Sequence, residues 1–300
     1  MIQIVTAILF LVCVTPEPSH ASYTPEVELA RHLTSIAQLA HPSPLVEIPG
    51  GWFLMGTNRV DDDPYGLHTQ FDDTELPQRR VWIDHYAIDR DEVSIAEYLT
   101  FLGHTHRQPP DELQRLIWHI ITVHFMPDPV IASWPVLYVS WSEAVDFCAT
   151  QGKRLPTEAE WEKAARGTEG NLFPWGNASP APGLAVFGQY HVHEIPLVAA
   201  VNSGEEGQSP FGVRHMAGNV AEWVQDWLGF DYYSIMPERN PKGPTTGRYK
   251  SVRGGSWKSH PNLLRTPSRN GANPDQRSAT VGFRCAQSQS ITSDPQAHTP

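Results

Sequence analysis

The sequence predicts a folded, loop-rich chain built from short strands and short helices. Forty per cent of its 300 residues are hydrophobic and ten are tryptophan, which is typical of a globular chain and not of a disordered one. The 27 prolines and 22 glycines follow no repeat, so they favour many loops and short elements. This length is enough for one large domain or two small ones.

The charge pattern argues against two classes of partner. The formal net charge is −11, and the sequence contains no run of Lys and Arg. A surface that follows nucleic-acid phosphates, or one that binds an anionic membrane, needs clustered basic side chains. We therefore expect that the protein binds neither.

Residues 1–21 are typical of an export signal. The apolar run Ile4–Val14 is too short to span a bilayer as a helix, and we expect no other transmembrane segment. Ser19-His20-Ala21 places small residues where a signal peptidase needs them, so cleavage is expected before Ser22. The segment lacks a basic start, and a buried N-terminal strand is the alternative. We expect an exported protein, periplasmic or secreted.

The first part of the mature chain predicts a leader and then strands. Residues 22–43 form the leader, with a helical pattern at Val27–Leu39. Val46–Gly56 predicts two strands broken by a Pro-Gly-Gly turn. Val81–Asp89 alternates apolar and polar residues, which predicts one half-buried strand.

Capping boxes mark the expected helix starts. In each, a Ser or Thr lies three residues before a Glu, and the two side chains satisfy free N–H groups of the first turn. The pairs are Ser94 with Glu97, Ser140 with Glu143, and Thr157 with Glu160. Further along, Asn219 is expected to cap a short turn in which Val220, Trp223 and Trp227 share one face. Leu172–Arg214 lacks sustained periodicity and predicts long ordered loops.

Eight motifs are spread over about residues 44–286. They are Gly50–Gly56, Asp91–Ser94, Val139–Trp141, Gly152–Trp161, Phe173–Asn177, Ala217–Trp223, Arg253–Trp257 and Gly282–Cys285. Together they resemble the formylglycine-generating enzyme (sulfatase-modifying factor) family, in which they occur in the same order. The resemblance implies a single loop-rich α+β domain of the formylglycine-generating-enzyme type, related to C-type lectins. We place it at residues 44–287 and expect a disordered tail at 288–300.

The stretch after Arg253-Gly-Gly-Ser departs from the copper oxidases of that family. Their two copper(I)-binding cysteines correspond to Ser259 and Leu264 here. A hydroxyl and an isobutyl group cannot bind this soft ion, which selects thiolate or thioether ligands. The resemblance thus implies the scaffold without its best-known reaction, and copper is not expected. Ser256, Ser259 and His260 are the candidate pocket residues, although neighbouring Ser259 and His260 do not make a persuasive nucleophile and base.

Cysteine usage agrees with export. Removal of the signal would take Cys13 away and leave Cys148 and Cys285, an even pair in an oxidising compartment. The resemblance implies that these two are bonded to each other. Two buried free thiols are the alternative.

The resemblance also implies a possible calcium site. In the family, one such site uses an Asn side chain, two backbone carbonyls and the Glu of the Gly-Asn-x-x-Glu-Trp turn. The corresponding residues are His215, Gly218, Val220 and Glu222. Calcium prefers oxygen ligands, so the imidazole of His215 is a departure.

Other side chains allow two interpretations each. His191 and His193 could join His215 or His260 around zinc, copper(II) or iron, or they could be solvated loop histidines.

The arginines are also ambiguous. Arg265 and Arg269 could bind an anionic substrate, although structural ion pairs are the simpler interpretation. Arg154 is expected to pair with Glu158 or Glu160.

Three functions are compatible with these residues. In the first, an exported member has lost oxidase chemistry and acts as a binding or accessory module for a protein or peptide. In the second, a periplasmic enzyme uses the same pocket for a different oxidative maturation reaction, like the siderophore-maturation relatives in this family. In the third, the protein generates formylglycine on sulfatases, which requires the assignment of Ser259 and Leu264 to be wrong.

Overall fold

The computed structural model describes residues 24–58, 72–190 and 195–288. The predicted export signal and almost all of the predicted tail lie outside this part. The helices are α1 Pro25–Ala37, α2 Ile95–His104, α3 Asp111–Val123, α4 Asp128–Ala132, α5 Trp141–Thr150, α6 Glu158–Arg166 and α7 Tyr232–Ile235. The strands are β1 Leu45–Ile48, β2 Gly51–Met55, β3 Arg79–Ile83, β4 Tyr86–Asp89, β5 Ala221–Trp227, β6 Lys250–Arg253, β7 Arg269–Ala272, β8 Val281–Phe283 and β9 Ala286–Ser288.

Within the described residues the strands form three small sheets. The first has the order β1-β4-β9 and the second pairs β2 with β3, all antiparallel. The third has the order β7-β6-β5-β8, in which β5 and β8 are parallel. Helices pack around these sheets, and none of those described is long and apolar enough to cross a membrane. The predicted α+β class is confirmed.

The predicted capping boxes begin α2, α5 and α6. Ser94, Ser140 and Thr157 each accept a hydrogen bond from the backbone N–H of the Glu three residues on, whose carboxylate accepts from the N-cap backbone. Each cap contributes about 1 kcal/mol. The helix starts were therefore predictable, because capping is a local property.

The segment predicted to be a leader contains α1. Thr24 caps this helix with its hydroxyl, and Ile36 is fully buried in the largest apolar cluster. The helix packs against α2 and α4. Part of the segment before residue 44 therefore belongs to the folded body.

The strand predictions have two outcomes. Val46–Gly56 forms β1 and β2 with a break between them, as predicted. The single strand predicted at Val81–Asp89 is wrong, because exposed Asp84 and His85 separate β3 from β4. The chain leaves one sheet and enters another at this point, since β3 pairs with β2 while β4 pairs with β1 and β9.

The turn predicted after Asn219 is wrong as well. Residues 221–227 form β5, and its pairing with β6 shifts register between Trp223 and Trp227. Such a bulge breaks the two-residue alternation of a strand. It therefore produces an apolar spacing that resembles a helical face.

The long loops predicted between Leu172 and Arg214 are confirmed in the described part, where a short 3-10 helix at Glu205–Gly207 is the regular structure. The predicted disulfide is also present. Cys148 on α5 is bonded to Cys285, which follows β8, across a sequence separation of 137 residues. Both cysteines are fully buried.

Candidate functional site

The Gly-Gly-Ser loop leaves β6 in a backbone conformation that requires glycine. Gly254 and Gly255 have φ angles of 88° and 68°. A Cβ on Gly254 would lie 3.0 Å from the Trp161 ring, and one on Gly255 would lie 2.9 Å from the carbonyl oxygen of Leu263. Left-handed backbone and close neighbours thus both select glycine here.

Backbone hydrogen bonds fix this loop against the rest of the domain. The Trp257 N–H donates to the Asn219 carbonyl at 2.7 Å, and the Gly218 N–H donates to the Gly254 carbonyl at 2.9 Å. The Gly188 N–H donates to the Ser259 carbonyl at 3.0 Å. The loop is therefore held by the Gly-Asn turn on one side and by residue 188 on the other.

The two positions that the resemblance assigns to the copper ligands do not form a donor pair. The Ser259 hydroxyl accepts a 2.9 Å hydrogen bond from the Ser256 N–H and lies 3.3 Å from the Ser256 hydroxyl. Leu264 is fully buried in an apolar cluster with Phe173 and Ala217. One position thus stabilises the loop and the other fills a core, and neither is a soft ligand.

A small cavity of about 190 Å³ lies between this loop and one face of the third sheet. Its floor includes Ala221 of β5, Val252 of β6 and Val281 of β8. Its polar lining consists of Ser256, Ser259, Ser268, Asn270, Gln276, Ser278 and Thr280. Of the predicted pocket residues, Ser256 and Ser259 are in this lining. His260 is not, and its ring stacks on Tyr190 with centroids 5.4 Å apart.

Sequence analysis missed Ser268, Asn270, Gln276 and Ser278 as cavity residues. Gly271 also lines the cavity, but the side chains that do so in this segment, those of Ser268, Asn270 and Ala272, lie at every second position, as expected for one face of a strand. This signal is present in the sequence, but β7 is only four residues long. Its alternation could not be recognised without knowledge of the neighbouring strands.

The opposite face of the same sheet carries buried charges. Arg269 of β7 donates to both Glu158 carboxylate oxygens at 2.8 and 2.7 Å, and Arg253 of β6 donates to Glu158 at 3.0 Å. Burial raises the pKa of Glu158, but the two guanidinium groups outweigh burial and hold that pKa below its ordinary value. Arg253 also pairs with Glu162 at 2.7 Å. This network joins the sheet to α6.

The remaining arginines of interest also form structural ion pairs. Arg265 holds both oxygens of Glu75 at 2.7 and 2.9 Å. Arg154 holds both oxygens of Glu160 at 2.6 and 2.7 Å, which confirms one of its two predicted partners. The interpretation of Arg265 and Arg269 as ion-pair residues is therefore confirmed, because their guanidinium groups are already engaged.

The predicted calcium ligands do not fit a calcium ion as they are arranged. Arg284 donates to both carboxylate oxygens of Glu222 at 2.7 and 2.8 Å, and the Trp161 indole N–H donates to the same carboxylate at 2.9 Å. A guanidinium thus already neutralises the one carboxylate of the set, which also contains Gly218 and Val220. The geometry argues against a cation at this turn.

The fourth predicted ligand, His215, is buried. Its Nε2 lies 3.2 Å from the Ala200 carbonyl oxygen and donates to it. Burial, with a smaller effect of Arg284, lowers the pKa of His215 to about 4. The imidazole is therefore neutral at pH 7 and serves to position the loop at Ala200.

A buried carboxylate that the sequence analysis did not single out organises the Gly-Asn turn. Glu92 accepts hydrogen bonds from the Asn219 side-chain amide at 2.7 Å and from the Val220 N–H at 3.2 Å. Burial and the neighbouring Glu222 raise the pKa of Glu92 well above its ordinary value. Asn219 in turn accepts from the Ala199 N–H at 2.8 Å. These bonds explain why the turn needs asparagine.

Two residues of the predicted histidine metal site, His191 and His193, lie outside the described residues. Within residues 24–58, 72–190 and 195–288, no three His, Cys, Asp or Glu side chains are grouped as metal ligands. His215 and His260 are engaged with Ala200 and Tyr190, respectively.

Comparison with known proteins agrees with this architecture. Residues 33–289 match the family described as sulfatase-modifying factor enzyme 1-like domain. The formylglycine-generating enzyme of Mus musculus is 31% identical over 94% of this chain and 87% of its own length. The hercynine oxygenase of Mycolicibacterium smegmatis is 31% identical over 80% of this chain and 60% of its own length.

A solved structure shows the same fold. PvdO from Pseudomonas aeruginosa superimposes with a TM-score of 0.61 at 22% identity, over 83% of this chain and 100% of that one. The fold of the formylglycine-generating-enzyme type is therefore confirmed.

Proposed function

This chain belongs to the sulfatase-modifying factor family, and we propose that it is a binding or accessory member without copper–thiolate oxidase chemistry. One observation carries the proposal. The positions of the two copper(I) ligands hold Ser259, whose hydroxyl is bonded within the loop, and Leu264, which is buried in an apolar cluster. Cys148 and Cys285 are bonded to each other and cannot supply the thiolates.

The partner that we propose is a protein or peptide. The name of the formylglycine-generating enzyme says that this relative forms an amino-acid derivative. Its match to this chain spans 94% of the residues. The cavity beside the Gly-Gly-Ser loop is the part of this protein that would receive a side chain of the partner. We further propose that the protein is exported, because the disulfide is of a kind that persists in oxidising compartments.

The proposal is tested with a peptide that contains Cys-x-Pro-x-Arg, incubated with copper and oxygen and followed by mass spectrometry. The wild-type protein should leave the cysteine unchanged, because Ser259 and Leu264 are not soft ligands for copper(I). The double variant Ser259→Cys/Leu264→Cys is the matched control, since it restores both thiols on the same scaffold. Conversion of the peptide by the wild-type protein would refute the proposal.

An enzyme that uses the same cavity for another oxidative maturation reaction is the second candidate. The hercynine oxygenase relative favours it, because this relative is also 31% identical, over 80% of this chain. The polar cavity lined by Ser256 and Thr280 could hold a substrate. Metal analysis of the purified mature protein separates the two, since a stoichiometric transition metal with turnover would favour the enzyme.

A further inference from the structure

The cavity beside the Gly-Gly-Ser loop has an uncharged, hydrogen-bonding lining. Its polar side chains are five hydroxyls and two carboxamides, and no charged side chain is among the described residues that line it. A charged group that entered would lose its water without gaining an opposite charge, which is costly. The lining therefore selects against carboxylates and ammonium groups.

The uncharged character follows from how the strands alternate. Ser268 and Asn270 face the cavity, whereas Arg269 between them faces Glu158 on the other side of the sheet. On β6, Val252 faces the cavity and Arg253 joins the same buried network. Arg253 and Arg269, which neighbour cavity residues in the sequence, are thus neutralised by Glu158 on the opposite face of the sheet.

Ser268 points to a ligand. It is only 5% exposed and lines the cavity, and its hydroxyl makes no hydrogen bond within the described part of the chain but is open to the cavity. By contrast, the hydroxyls of Ser278 and Thr280 bond each other at 2.8 Å. A hydroxyl that faces a cavity can exchange a hydrogen bond to water for one to a ligand. A ligand donor or acceptor in the cavity would satisfy Ser268.

The size of the cavity restricts the ligand further. Its volume of about 190 Å³ is below the roughly 300 Å³ at which pockets for drug-sized molecules begin. The apolar floor of Ala221, Val252 and Val281 suits a short carbon chain. One end of the ligand is thus apolar and the other forms hydrogen bonds without charge.

From this lining we infer that the cavity binds one neutral polar side chain of a peptide, with the carboxamide of glutamine or asparagine as the best match. A carboxamide both donates and accepts, so it can bond hydroxyls and amides together. This inference rests on the proposed function, which supplies the peptide. It adds the class of side chain that the peptide must present.

The test uses blocked pentapeptides of alanine with one central residue, measured by the amide NMR signals of Gly254 and Gly255. Glutamine against glutamate, and asparagine against aspartate, compare the same shape with and without charge. We expect each carboxamide peptide to bind at least tenfold more tightly than its carboxylate partner. Equal affinities within a pair, or no saturable binding of any peptide, would overturn the inference.

The variant Ser268→Ala locates the site. It removes the hydroxyl that faces the cavity and should lower affinity for the glutamine peptide several-fold without lowering the melting temperature. Ser234→Ala is the matched control, because Ser234 is exposed on α7 and bonds the Asp231 carbonyl. Unchanged affinity in Ser268→Ala would overturn the assignment.

Two further results keep the outcomes distinct. Saturable binding of methyl glucoside at the same signals, with no peptide binding, would assign the cavity to a carbohydrate and refute the inference. Peptide oxidation in the copper assay would refute the proposed function, whatever the peptides show about charge.

Discussion

Tyr98 is fully buried among Phe101, Phe147 and Phe283, and its hydroxyl has no hydrogen-bond partner in the described part of the chain. Such a hydroxyl is destabilising, because it loses its hydrogen bonds to water on folding. Tyr98→Phe should therefore raise the free energy of unfolding by about 1 kcal/mol. Urea denaturation measures this change.

The matched control for that variant is Tyr233→Phe. Tyr233 is also fully buried, but its hydroxyl donates to Glu162 at 3.2 Å. The same chemical change should therefore destabilise the protein at this position. Destabilisation by both variants would show that the Tyr98 hydroxyl has a partner in solution.

Glu158 should make the folded protein less stable at low pH. The pKa of Glu158 is below its ordinary value in the folded protein, so its contribution is fully present above about pH 4.5 and is lost as the pH falls through the folded-state value. Glu158→Gln should cost about 3 kcal/mol or more, because Arg253 and Arg269 stay buried without this carboxylate. The stability of Glu158→Gln should also fall less than that of the wild-type protein as the pH is lowered below about 4.5. Thermal unfolding at several pH values measures both effects.

Glu169→Gln is the control for Glu158→Gln, since Glu169 is exposed three residues beyond the end of α6. It should change neither the melting temperature nor its pH dependence by much. A Glu158→Gln protein as stable as wild type would contradict the ion network as the link between α6 and the third sheet.

At the scale of elements, the disulfide ties α5 to the end of β8. On the chain-entropy estimate, closing so long a loop stabilises the fold by up to about 5 kcal/mol. The native mature protein should therefore show no thiol reactive toward Ellman's reagent, and reduction under denaturing conditions should release two. Two thiols that react in the unreduced, unfolded protein would contradict the bond between Cys148 and Cys285.

The turn before β5 gives a prediction about calcium. Because Arg284 already bonds both oxygens of Glu222, calcium added after chelation should leave the melting temperature unchanged. His215→Asn tests the alternative, since it restores the family's ligand type at this position. A rise of several degrees with calcium in the wild-type protein would show that the Glu222–Arg284 pair opens to bind the ion.

The sequence predicted the starts of helices better than the bounds of strands. The starts of α2, α5 and α6 were predictable because a cap depends on four consecutive residues. The break at Asp84 and the strand at 221–227 were not, because both depend on which distant strand supplies the hydrogen bonds. Sequence periodicity contains no information on that partner.

At the scale of the whole molecule, the sequence predicted the fold and the disulfide. It predicted Ser256 and Ser259 as pocket residues, and both line the cavity. It did not predict Ser268, nor that His260 stacks on Tyr190 outside the lining. These positions depend on how β6, β7 and the loop meet, which is a tertiary property.

The molecule is organised around the third sheet. One face of that sheet holds a buried network of Arg253, Arg269 and Glu158, and the other face forms an uncharged cavity under the Gly-Gly-Ser loop. The fold of the family is thus present, and the polar side chains that line this cavity are hydroxyls and carboxamides.

The most direct measurement is a titration of the mature, oxidised protein with copper(I) against a colorimetric chelator under anaerobic conditions. With Ser259 and Leu264 at the ligand positions, the protein should remove no stoichiometric copper(I) from the chelator, whereas Ser259→Cys/Leu264→Cys should bind one equivalent. Tight binding of one copper(I) per wild-type molecule would contradict the account.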